Sequence, residues 1–172
     1  MFYQNDGGAP KDFQRYACLF SVLYHSKEFI QGKTVYLDEA VLDWVGARER
    51  GLISGDLNKD GDFDDVGEDE ILDYNGLCLF LHLPIYFPSQ TKLPTSLVSL
   101  KKDEHGIPRV APSKDPWPQN YYIVERWEWK YSHFVLGNGT GMKPVKYDPI
   151  RGGSYTVRNG KCADLRVFEI RR

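Results

Sequence analysis

Apolar residues in the first third of the chain recur at helical spacing. Phe13, Ala17, Phe20, Leu23 and Tyr24 fall on one face of a 3.6-residue repeat, which predicts a helix over residues 12–29. Leu37, Val41, Trp44 and Val45 repeat the pattern and predict a second helix, opened by Thr34 or Asp38 and stopped at Gly51. Residues 70–83 are strongly apolar, with Ile71, Leu72, Leu77, Cys78, Leu79, Phe80 and Leu81, as in a buried helix. The pattern then changes. Prolines at positions 84, 88, 94, 108, 112, 116 and 118 exclude long helices and leave room for short strands near 85–87 and 97–100. Residues 121–129 are aromatic and partly alternating, a strand leading into a second one over 131–136. At the end of the chain, Asn159-Gly160 between the runs 154–157 and 165–170 reads as a hairpin. Helices first and antiparallel strands afterwards predict an α+β fold, the helices packed on the sheet.

Composition narrows the classes of function. A chain of 172 residues, 41% hydrophobic and 14% aromatic, suffices for one domain with its own core, and residues 1–172 are read as that domain. The formal net charge of −2 gives no electrostatic footprint for nucleic acid, and no apolar run is long enough to span a bilayer. The first residues lack the basic and apolar regions of a signal peptide, so synthesis in the cytoplasm is expected, as a monomer. Three cysteines, an odd number, argue against a disulfide framework.

The strand over 131–136 carries the first chemistry. Tyr131, His133 and Val135 share one face, since side chains alternate along a strand. The run Gly137-Asn138-Gly139-Thr140-Gly141 tolerates positive φ and reads as a loop returning the chain through Val145 and Tyr147. Asp148 then comes near the start of the histidine strand. A carboxylate there accepts a hydrogen bond from one imidazole nitrogen and leaves the other as the base. The nucleophile to match is Cys18, early in the first helix, where an electropositive setting and a neighbouring imidazolium favour a thiolate. A thiol on a helix is as readily a core residue. The combination with a distant histidine and aspartate singles Cys18 out. Cys78, flanked by leucines, reads as core, and Cys162 as an exposed thiol in a turn.

Taken together, Gln4-Asn5-Asp6, Cys18, His133-Phe134-Val135 and Asp148-Pro149 resemble the papain-like cysteine peptidases of the C39-like group over nearly the whole chain. The resemblance implies a papain-like fold with Cys18 as nucleophile, His133 as base and then acid, Asp148 as the orienting residue and Gln4 as an oxyanion donor. Gln14, four residues before Cys18, competes with Gln4 for the last role. Leu19 stands where that group usually has glycine.

A second pattern lies between the predicted helices. Asp56, Asn58 and Asp60 place oxygen side chains at positions 1, 3 and 5 of an EF-hand-type loop. Gly61 follows at the turn, Asp62 at position 7 and Asp64 at position 9. Position 12 is Gly67, so Glu68 one residue later, or less favourably Asp65, closes the set. Alternate carboxylates aimed at one point repel unless a cation joins them, and Ca2+ suits all-oxygen ligands. A solvated acidic turn is the other reading.

The expected activity is a cysteine hydrolase of amide or peptide bonds. Its expected substrate is the peptide part of a bacterial cell wall, cut by a calcium-binding, endolysin-like enzyme acting after release from the cell. A leader-processing or protein-directed peptidase would use the same residues, and a catalytically inactive, calcium-stabilised binding module would keep the fold without turnover.

Overall fold

The computed structural model describes residues 1–54, 71–103 and 106–172. It is α+β, with a six-stranded antiparallel sheet and short helices. The chain divides into two compact units, Met1–Pro84 with Pro149–Arg151, and Ile85–Asp148 with Gly152–Arg172.

The first unit is helical. Its predicted opening helix is instead three short ones, α1 (Lys11–Tyr16), α2 (Cys18–Tyr24) and α3 (Ser26–Gln31), interrupted at Ala17 and His25. At His25 the ring Nδ1–H donates to the Ser21 carbonyl at 2.8 Å, so the side chain shares an acceptor with its own backbone N–H. Every residue of α2 is buried. The helix α4 (Leu37–Glu49) buries Ala40, Trp44 and Ala47, while Leu42 and Val45 are exposed. Its inward stripe is thus rotated toward the alanines, because small residues let Trp44 pack edge-on against Phe13, ring centroids 5.4 Å apart. Gly51 follows with φ 70°, the expected stop. The helix α5 (Tyr74–Phe80) is shorter than predicted. Asp73 caps it by accepting the Gly76 N–H at 2.8 Å, His82 ends it at φ 54°, and Leu72 and Leu79 are exposed. Before α5, Ile53 and Ile71 form an antiparallel bridge.

The second unit holds the sheet. Its strands are β1 (Ile85–Tyr86), β2 (Leu100–Lys102), β3 (Pro108–Val110), β4 (Tyr121–Glu128), β5 (Ser132–Gly137) and β6 (Lys161–Ile170). The order is β2-β3-β6-β4-β5, with β1 also paired to β6. The strand expected at 97–100 begins instead at Leu100. One face of the sheet contributes Ile123, Leu165 and Val167 to a cluster closed by Leu93, Val110 and Trp117. Trp127, Val135 and Val157 form a second cluster. The predicted C-terminal hairpin is not formed: residues 155–159 make the helix α6 (Tyr155–Asn159). Ser154 explains the change, since its hydroxyl accepts the Val157 N–H at 3.2 Å and so starts a helix. Among the described residues no helix is long and apolar enough to cross a membrane.

Candidate active site

Strand β5 pairs with β4 from Glu128↔Ser132 to Ile123↔Gly137, which sets His133 opposite Trp127. The returning segment, residues 142–148, is not a strand. It makes one bridge, Leu136 N–H to Tyr147 O at 2.9 Å and Lys146 N–H to Leu136 O at 2.9 Å. Pro144 and Pro149 on either side have no N–H to extend a ladder. One bridge is enough to position Asp148. His133 Nε2–H donates to Asp148 Oδ1 at 2.7 Å, and both side chains are 9% exposed. Asp148 Oδ2 accepts the Ser154 N–H at 2.9 Å. The carboxylate is therefore held at both oxygens, by the ring and by the residue that starts α6. With Nε2 protonated toward Asp148, the neutral ring carries its basic lone pair on Nδ1.

The glycine-rich loop after β5 is held by a residue that the sequence reading passed over. Glu125, fully buried in β4, accepts N–H bonds from Gly139 and Gly141 through Oε1, both at 3.1 Å. Its Oε2 accepts the Trp127 indole N–H at 3.0 Å. Three donors converge on one carboxylate, which offsets much of the cost of burying its charge. At Gly139, φ is 91° and a Cβ would lie 2.2 Å from the Trp117 ring. At Gly141, φ is 66° and a Cβ would lie 2.7 Å from Cys162 Cβ. The signal for this strut was present as a lone acidic residue in an apolar strand, opposite a G-x-G-x-G run. Trp127 is a core side chain, 2% exposed, and Trp129 is 48% exposed.

In the first unit, Cys18 is the first residue of α2 and is 5% exposed. Gln4 is 1% exposed; its Nε2 donates to Gln14 O at 2.7 Å, and its buried Oε1 has no hydrogen-bond partner among the described residues. Gln14 Nε2 donates to Ala9 O at 2.8 Å. Gln4 thus gives one amide hydrogen to a carbonyl of α1 and Gln14 gives one to the N-terminal turn, and each has a second one. Asp6 accepts from Arg151 Nε at 2.7 Å and Nη2 at 3.0 Å, and the Arg151 guanidinium holds its carboxyl below the usual carboxylate range. The Gln-x-Asp run therefore does structural work through its aspartate.

A second buried histidine lies in the first unit. His25 is fully buried, its Nε2 accepting the Phe2 N–H at 3.3 Å and lying 3.8 Å from Glu28. Burial drives its pKa down to about 4, against the opposing Ser21 hydrogen bond and the Glu28 charge. It is a neutral structural ring. Cys162 is partly buried, and burial followed by the charges of Glu125 and Asp164 pushes its thiol far up.

The predicted calcium ligands Asp56, Asn58, Asp60, Asp62, Asp64 and Glu68, with Asp65, lie outside the described residues. Among the described residues no group of three or more histidine, cysteine or carboxylate side chains could hold a metal ion. His105 also lies outside them.

Comparison of the chain with protein-family models, curated proteins and solved structures found no match.

Proposed function

We propose that the protein is a papain-like cysteine hydrolase of amide bonds, with Cys18 as nucleophile, His133 as general base and acid, and Asp148 as the orienting carboxylate. The observation that carries the reading is the His133–Asp148 pair: a 2.7 Å bond through Nε2, backed by the Ser154 N–H on the second carboxylate oxygen. That arrangement leaves Nδ1 to take a thiol proton. The thiolate then adds to the substrate carbonyl, and the imidazolium returns the proton to the departing amine. Water, deprotonated by the same ring, hydrolyses the resulting thioester. Gln4 or Gln14 supplies a side-chain N–H to the oxyanion through its second amide hydrogen. The substrate class is the peptide of a bacterial cell wall, and a calcium ion bound at Asp56, Asn58, Asp60, Asp62, Asp64 and Glu68 steadies the enzyme.

Turnover of purified peptidoglycan, followed by the release of new amino termini, tests this. Cys18→Ala abolishes release. Asp148→Asn lowers kcat by on the order of 10²–10⁴, because the amide no longer holds the ring in the required tautomer. Release that is unchanged in Cys18→Ala would show the reading to be wrong. A well-folded wild type that releases nothing from peptidoglycan or from peptide libraries would favour the binding-module alternative.

A further inference from the structure

Asp148 lies where the chain changes units: Pro149–Arg151 belong to the first unit, Asp148 and Gly152 to the second. The segment 149–151 is bonded to the N-terminal turn. Pro149 O accepts the Gln4 N–H at 2.7 Å, and the Arg151 N–H donates to Asn5 Oδ1 at 2.8 Å. The Arg151 guanidinium takes both oxygens of Asp6, through Nε at 2.7 Å and Nη2 at 3.0 Å, and lies 4.4 Å from the centroid of the Tyr3 ring. Asp6 is set in turn by accepting the Tyr3 N–H at 2.9 Å. Gln4, Asn5 and Asp6 thus each hold residue 149 or 151. An exposed ion pair contributes little as a single contact. Arg151, 60% exposed, is instead bidentate, stacked on a ring and bonded through its own backbone, and that combination fixes its direction.

This clasp falls next to the histidine pair in the chain. Before Asp148, Tyr147 is bridged to Leu136. After it, Asp148 Oδ2 accepts the Ser154 N–H at 2.9 Å, which closes the loop 148–154 on itself. Gly152 and Gly153, with φ of 84° and 85°, let the chain turn back to make that bond. Closing a loop at its ends leaves its middle free to move. The clasp pins that middle at Pro149 and Arg151.

We propose that Arg151 is a positioning residue for the active site: through its clasp on Asp6 it holds the loop 148–154 so that Asp148 stays bonded to His133. Its action on the ring runs through the backbone that follows Asp148. Its use to the protein rests on the peptidase reading, whereas its test needs no turnover.

Solvent exchange of the His133 Nε2 proton, followed by ¹H–¹⁵N NMR of the full chain, tests it. The Nδ1 proton of His25, buried and bonded to the Ser21 carbonyl, is the internal control. Arg151→Gln and Asp6→Asn should each speed exchange at His133 about fivefold, the upper range for an exposed pair of good geometry, and leave His25 unchanged. The double variant should do no more than either single one, since both remove one clasp. Unchanged exchange at His133 in Arg151→Gln, an equal acceleration at His25, or effects that multiply in the double variant would each overturn the proposal. Failure of the peptidase reading shows elsewhere, as a Cys18 that stays unreactive while the clasp variants still alter exchange at His133.

Discussion

At the scale of single residues, the two buried histidines show how surroundings decide a role. His133 faces a carboxylate that is itself anchored, which suits a ring that gains and loses a proton in turn. His25 faces the Phe2 N–H through one nitrogen and the Ser21 carbonyl through the other, an arrangement only the neutral ring satisfies. Its folded pKa of about 4 lies below the unfolded value of 6.5, so the unfolded chain binds the proton first. Stability contributed by the neutral ring is present above pH 6.5 and is lost as pH falls toward about 4. The loss amounts to about 3 kcal/mol, to which Glu28, 3.8 Å away, sets the opposing charge. Urea melts between pH 7 and pH 4 check this: His25→Gln should flatten that part of the profile, and an unchanged slope would assign it to other groups. The His133–Asp148 contact was legible in the sequence because the strand pattern and the glycine-rich return loop bring the two residues together. His25 was not, because an isolated histidine on an apolar helix carries no pattern that tells a satisfied core ring from any other.

At the scale of elements, hydrophobic period found β4 and β5 and the helical character of the first unit, but not where helices break. Breaks and caps depend on single hydrogen bonds. The hydroxyl of Ser154 turned a predicted strand into α6, and the ring of His25 shares its acceptor with the backbone between α2 and α3. The glycine-rich loop was legible as a loop, whereas its anchor Glu125 was not, since pairing across strands is invisible until register is known. Gly139→Ala tests the anchor. With φ at 91° and a ring atom of Trp117 2.2 Å from the added Cβ, the loop must shift and stretch its bond to Glu125. The expected cost is about 2–4 kcal/mol of unfolding free energy, read from denaturant midpoints. A change of only a few tenths would mean that the loop relaxes freely and that Glu125 does not fix it.

At the scale of the molecule, composition and the order of helices and strands gave the α+β class, while the strand order β2-β3-β6-β4-β5 was out of reach. That order depends on β6, the last strand, inserting between β3 and β4. The acidic run from Asp56 to Glu68 makes a whole-molecule prediction, because an ion bound only by the folded chain stabilises all of it. At calcium a hundredfold above its dissociation constant the gain is about 2.7 kcal/mol, seen as a rise in Tm that Asp56→Ala with Asp60→Ala abolishes. Titration heat and Tm both unaffected by calcium would leave the run as a solvated turn. The central claim is that Cys18 is activated by the His133–Asp148 pair, and alkylation of the native protein by iodoacetamide from pH 5 to 9, resolved by residue in a mass spectrometer, addresses it without a substrate. The account predicts that Cys18 labels rapidly well below pH 8, that His133→Ala removes this fast phase, and that Cys78 and Cys162 label slowly in both proteins. A Cys18 that is as slow as Cys78, or whose rate does not change in His133→Ala, would contradict it.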